Sequence, residues 1–299
     1  MKALLALINR NRKVFFKDLG MLFSSIITPL ILLILYTTFL GNVYKSSFIS
    51  NLPEGMNVSE KLINGCVSGQ LFSSLLAVSC VTVACCVNLT MVQDKVTGAR
   101  KDLTIAPIKP STLALGYYIS TVINTLIIAL IATGACFIYI AKQGWYMTAG
   151  DVLWLLLDIF LLCLFGTAIS SIINCGLTTQ GQMSAVGTII SCAYGFICGA
   201  YMPISQFSTG LQKVLSYMPS TFGTSLLRNH AMRGVFAEME NQGFPKEVVE
   251  AVKDSIDCNI YVNGSQVATS TMLYVLIGTI AVLIAAYIVI NCIASKKKK

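Results

Sequence analysis

The sequence predicts an all-α polytopic membrane protein with six transmembrane helices. Three observations carry that expectation. The 299 residues are 55% hydrophobic and 11% charged, with a mean hydropathy of +0.74. Soluble domains run near a quarter charged, so this chain has too few charges to clothe a water-facing surface of its size. The apolar residues gather in six runs, at 22–40, 65–92, 113–140, 152–173, 183–202 and 272–294, and a helix of about 20 residues crosses a bilayer. Thirteen of the 21 Lys and Arg lie in three short stretches beside those runs, at 1–17, 95–109 and 296–299, as they do on the cytoplasmic flanks of membrane helices. Helices are expected rather than a barrel, because a span must satisfy its own backbone in lipid and the runs do not alternate.

The elements follow in chain order. Residues 1–20 form an amphipathic interfacial helix. Leu4, Leu5, Ile8, Phe15, Phe16 and Leu19 fall on one face, and Lys2, Arg10, Arg12, Lys13 and Lys17 occupy much of the rest, an arrangement suited to an anionic membrane surface. Residues 21–299 form the transmembrane domain. Its first span carries Pro29 near the middle, where a missing donor favours a kink. The loop 93–111 is charged and ends in Pro107 and Pro110, so a short helix over 96–104 stopped by proline is expected beneath the membrane. It is longer than a plain connector, which leaves a docking role open.

The fourth span holds Asp158, a charge costly enough to need a partner. A substrate or proton site and a simple interhelical hydrogen bond fit it equally. Residues 203–234 are moderately apolar but interrupted by Pro203, Gly210, Pro219 and Gly223, which suits re-entrant external half-helices before the last span. Residues 236–269 form a polar extracellular insertion, with a helix over 246–256 after Pro245 and a hairpin over 260–267 around Asn263-Gly264.

Orientation follows from charge. With six spans, the side holding both ends has 13 basic residues against Asp18, Asp94 and Asp102, while the other side has eight basic residues against nine acids. The first side is cytoplasmic by the positive-inside rule. The protein is therefore expected in the cytoplasmic membrane, multi-pass, with both termini inside. The basic clusters sit beside apolar runs and not in a groove-sized face, which excludes nucleic acid as a partner.

Catalytic chemistry is missing. No G-x-x-x-x-G-K-[ST], G-x-S-x-G or H-E-x-x-H occurs, and His230 is the single histidine. The chain is thus expected not to be an enzyme, to bind no cofactor and to hold no metal. Most of the 11 cysteines lie inside apolar runs as small packing residues and none forms a C-x-x-C. Cys66 and Cys258 both fall in external segments, where a disulfide between them is possible.

Three stretches together resemble the ABC type-2 exporter permeases. They are the basic amphipathic start leading through Asp18 to I-I-T-P-L-I-L-L-I, the loop D-K-V-T-G-A-R-K-D-L-T-I-A-P-I-K-P-S-T-L-A-L-G, and G-A-Y-M-P-I-S-Q-F-S-T-G-L-Q-K-V-L-S-Y-M-P-S-T-F-G-T-S-L-L-R. Gln93-Asp94 stands where that family often shows Glu, and the 236–269 insertion is longer than usual. The resemblance implies a permease subunit moving a drug-, peptide-, lipid- or glycan-type substrate outward. ATP and magnesium would be handled by a separate ABC ATP-binding subunit, and a second permease, identical or paralogous, would complete the pathway within the lipid. It implies that Asp94, Lys95, Gly98, Arg100, Lys101 and Asp102 couple to the ATPase, and that Gly199, Pro203, Pro219 and Arg228 shape an external gate. An ATP-independent channel or facilitator and a membrane scaffold are the alternatives.

Overall fold

The computed structural model describes residues 2–50, 58–105 and 108–296. Pro107 and the lysines at 297–299 lie outside the described residues. The chain is almost wholly helical. Its elements are α1 (Lys2–Lys17), α2 (Leu19–Leu35), a π-helical turn Tyr36–Leu40, α3 (Gly41–Ser50), α4 (Glu60–Asn88), α5 (Thr90–Val96), α6 (Ala99–Ile105), α7 (Pro110–Gln143), α8 (Ala149–Gly176), α9 (Gln180–Ile197), a 3-10 turn Ile204–Gln206, α10 (Thr209–Ser216), α11 (Pro219–Asn241), α12 (Lys246–Ser255) and α13 (Thr269–Lys296). The single sheet among the described residues is the hairpin β1 (Tyr261–Val262) and β2 (Ser265–Gln266), which turns at Asn263-Gly264 as its sequence requires.

Five helices are long and apolar enough to cross a membrane: Leu19–Ser46 (α2 through α3), Glu60–Val96 (α4 and α5), Pro110–Gln143, Ala149–Gly176 and Thr269–Ala294. The run at 183–202 folds as α9, whose 18 residues begin with Gln180 and Gln182 and end at Ile197. At 1.5 Å per residue that is about 27 Å, slightly less than a hydrocarbon core.

Helix α4 is the axis of the bundle. Of its most apolar stretch 89% is buried, against 17% for α13 and 22% for α2, so α4 packs on all sides while α2 and α13 turn most of their surface to lipid. Helices α7, α8, α11, α2 and α9 surround it. Ser59 caps α4 by accepting from Leu62 N at 3.2 Å, and its first turn lies ahead of the apolar run, which is why the helix starts at Glu60.

Helix α11 runs antiparallel to both α4 and α8. Met232 lies against Gly69 and Arg228 against Ser74 on α4, while Arg233, His230 and Gly223 face Asp151, Asp158 and Leu162 on α8. Its start at Pro219 therefore sits beside the middle of α8, and Thr221 Oγ1 donates to the carbonyl of Ile197 at 3.3 Å. The chain enters on α9, turns inside the bundle and leaves on α11. The expected break at Gly223 and the expected end near Gly234 do not occur. Both glycines lie inside one 23-residue helix, Pro219–Asn241, because they serve close approach and not chain reversal. The insertion is correspondingly shorter than 236–269, since α11 runs to Asn241.

A methyl group on Gly234 would stand 1.8 Å from the Tyr146 carbonyl oxygen. Gly234→Ala is expected to cost about 1–3 kcal/mol through overpacking, read as a lowered melting temperature in detergent. A variant that melts with the native protein would refute this contact.

The N-terminal helix differs from its expected face. Its buried stripe is Leu7, Asn11 and Phe15, spaced by four, while Leu5 and Leu19 are exposed. Only Phe15 belongs to both sets. Leu7 packs with Met91, Tyr117 and Tyr287, and Phe15 with Val83, Val87 and Ile128. Asn11 Nδ2 donates to Ser120 Oγ at 3.3 Å in the middle of this seam, a polar contact that an apolar pattern cannot reveal. Helix α1 is thus docked along α7.

Candidate functional site

Two polar clusters and one buried pair stand out against the apolar bundle. The first sits where α1, α5 and α7 meet. Asp94 is 4% exposed. Both its carboxylate oxygens accept from the Arg10 guanidinium, one from Nη2 at 2.8 Å and the other from Nη1, and it accepts from Tyr117 Oη at 2.6 Å. This fork fixes guanidinium and carboxylate in one plane. The hydrogen bond to Asp94 holds Arg10 above its ordinary value, so the cation persists at any physiological pH.

Lys95 turns the other way. Its Nζ donates to the carbonyls of Asn174, Cys175 and Leu177 at 2.7–2.9 Å, satisfying the open end of α8 where a cation also complements the helix dipole. Gly98 reverses the chain at φ +86° between α5 and α6. Arg100 leans on α13, with Nη2 donating to Asn291 Oδ1 at 3.4 Å, while Lys101 and Asp102 are exposed. The six residues expected to face a partner therefore divide. Asp94 and Lys95 are internal ties, Arg100 is intermediate, and Lys101 and Asp102 face outward. Asp18 adds a tie of its own, capping α2 through Met21 N at 3.1 Å and accepting from Gln93 Nε2 at 3.3 Å.

The second cluster centres on Arg228, which is 2% exposed. Nη1 donates to Asp257 Oδ2 at 3.3 Å, and Nη2 donates to the Gly199 carbonyl at 2.6 Å and to Ser74 Oγ at 3.1 Å. Asp257 Oδ2 also accepts from Ile204 N at 2.9 Å. Burial pushes the Asp257 carboxyl above its ordinary value while the Arg228 charge pulls it down. One guanidinium thus ties α4, the turn after α9, the 3-10 segment and the segment after α12. Gly199 adopts φ +69°, and a Cβ there would meet Ile204 and Asp257. Tyr36, in the π-helical turn, points its hydroxyl at the Ala200 carbonyl at 3.4 Å, and such turns recur at functional sites.

Of the expected gate residues, Gly199 and Arg228 are brought into contact. Pro203 precedes the 3-10 turn and Pro219 opens α11 at a position that suits proline; neither touches the guanidinium.

Asp158 is fully buried and its Oδ2 lies 2.5 Å from His230 Nδ1. The His230 ring stacks on Trp154 at 5.4 Å. Cys66 and Cys258 are both buried free thiols, and burial pushes Cys258 up to about 12. The described residues contain no cluster suited to a metal ion.

Sequence reasoning did not find Asp257 or Tyr117, and treated Arg10 and His230 only as a surface cation and an isolated histidine. The positive φ of Asp257, +54°, has no sequence signature beyond the tolerance of Asp for that region. The family model for ABC-2 type transporters matches residues 2–231, which takes in both clusters except Asp257. No curated protein matches the chain.

Proposed function

This chain belongs to the ABC-2 type transporter family, and from that membership we propose that it is the permease subunit of an ATP-driven exporter. Two permeases would pair in the cytoplasmic membrane with both termini inside, each docked on a separate ATP-binding subunit. α9 would serve as the sixth crossing, completed toward the outside by the first half of α11. The observation that carries the reading is the division of the α5–α6 segment. Lys101 and Asp102 are free to meet a partner, while Asp94 and Lys95, six to eight residues away, are bonded to α1, α7 and α8. A push on the exposed charges reaches three helices through hydrogen bonds and ion pairs with little slack. At the other end, the Arg228 cluster would close the exit, since it joins the turn inside the bundle to the external segment.

Lys101→Glu combined with Asp102→Lys tests the reading. Both side chains are exposed, so the fold should be kept. Stimulation of the co-purified ATPase by the permease is expected to fall about tenfold, the effect of ~1.4 kcal/mol lost at a docking contact. Full stimulation and export by the double variant would remove the docking assignment. The absence of any co-purifying ATPase from the native host, with flux through the isolated chain in vesicles, would replace the exporter by a facilitator.

A further inference from the structure

A cavity of about 640 Å³ opens between α8, α11, α12 and α13 and has no part in the coupling or exit scheme above. Its size is that of a small-molecule site. Its basic side chains are Arg233, His230 and Lys253, and Glu240 is the acid in its lining. Trp154, Leu273 and Tyr274 give it an apolar wall.

These side chains are held from behind. Asp151, 1% exposed, pairs with Arg233 Nε at 3.3 Å, and neither Nη group of Arg233 has a protein partner among the described residues. Asp158 engages His230 Nδ1 and Trp154 stacks on the ring, which leaves Nε2 without a hydrogen-bond partner among the described residues. A carboxylate on one imidazole nitrogen orients the ring for a ligand on the other. Lys253 is paired with Glu250 at 2.7 Å over the Phe236 ring and contributes field more than contact. Two adjacent Nη groups form a fork that fits two oxygens of a phosphate, and the Thr269 and Ser270 hydroxyls line the same cavity.

The wall selects the carrier of that phosphate. Trp154 and Tyr274 each stand five residues from the start of a span, α8 at Ala149 and α13 at Thr269, and are 43% and 73% exposed. Aromatic rings at that depth mark the headgroup level of a bilayer. We infer that this cavity binds a phosphate-headed lipid, with its phosphate on Arg233 and His230 and its chains along Trp154, Leu273 and Tyr274. The site is independent of what the transporter moves and of whether an ATPase is attached.

The test uses the full chain in neutral maltoside micelles with Trp145→Phe as background, so that Trp154 is the remaining tryptophan of two. Dioleoylphosphatidylglycerol, dioleoylglycerol and inorganic phosphate are titrated, with fluorescence as one readout and lipid retention in native mass spectrometry as the other. The phosphatidylglycerol is expected to shift Trp154 emission and to bind at least about tenfold more tightly than either other probe. Arg233→Gln, at a side chain 64% exposed and with an amide that can still donate to Asp151, is expected to weaken it about tenfold. Equal binding of dioleoylglycerol would reduce the site to an apolar groove. Equal binding of inorganic phosphate would make it a soluble-anion site. An Arg233→Gln protein that holds the lipid as the native one does would overturn the assignment outright.

Discussion

Arg228→Met is expected to destabilise the protein by about 3–5 kcal/mol, because it strands the Asp257 carboxylate in a site from which water is excluded. Asp257 is 5% exposed and would keep, among the described residues, only Ile204 N as a side-chain partner. The Gly199 carbonyl would lose its donor as well. Differential scanning fluorimetry of the purified protein gives the stability, and limited proteolysis between Asn241 and Ile260 gives its location, since Asp257 is that segment's ion-pair tie to the bundle.

A second change separates charge from packing. Asp257→Asn keeps an acceptor for Ile204 N, tolerates the positive φ of +54° and removes the orphaned charge. The double variant Arg228→Met with Asp257→Asn is therefore expected to regain at least half of the lost stability. If the single Arg228→Met protein melts within about 0.5 kcal/mol of the native one, the range for a neutral surface change, the hub contributes no cohesion and the external-gate role loses its basis.

The other large effect belongs to Asp94. Asp94→Ala removes the fork that holds Arg10 and leaves the Tyr117 hydroxyl, on a residue 2% exposed, without its acceptor. A hydrogen bond to a charged group contributes about 1.5–3 kcal/mol and an orphaned buried hydroxyl costs about 1–3 kcal/mol. Arg10 is partly exposed, so its share is discounted for solvent screening, and about 3–4 kcal/mol remains. The loss should appear as detachment of α1 from α7. Hydrogen exchange over residues 2–17 is expected to quicken about 100- to 1,000-fold, the kinetic equivalent of that energy, while α4 stays protected. Unchanged protection of α1 would show that its apolar contacts at Leu7 and Phe15 suffice to hold it.

What could be read from the sequence divides along physical lines. Five of the six expected spans were legible because lipid forces long uninterrupted apolar runs, and the Asn263-Gly264 hairpin because its turn demands those residues. Helix ends were less so: Glu60 and Lys61 belong to α4 although no hydropathy window would include them. Residues 203–234 showed their irregular entry, but Gly223 and Gly234 imitate helix breaks when their real reason is a neighbour, Leu162 and the Tyr146 carbonyl. The site was half legible. Asp158 stood out as a charge inside an apolar run, and Asp94, Gly199 and Arg228 through the resemblance to the permease family. Their partners did not, because Arg10 and Asp94 are 84 residues apart and Asp158 and His230 are 72 apart. Such pairs exist only after the helices have packed.

The amide of Asn11 bears on how α1 can move. Sliding the helix along α7 by one turn would pull Asn11 from Ser120 and, with it, Arg10 from the buried Asp94 carboxylate, at a cost of about 1.5–3 kcal/mol for the charged hydrogen bond. Lifting the helix off instead exposes the amide to water, which welcomes it. α1 therefore behaves as a latch with one seated position, not as a piston with a stroke, and any signal it carries is a change between engaged and released.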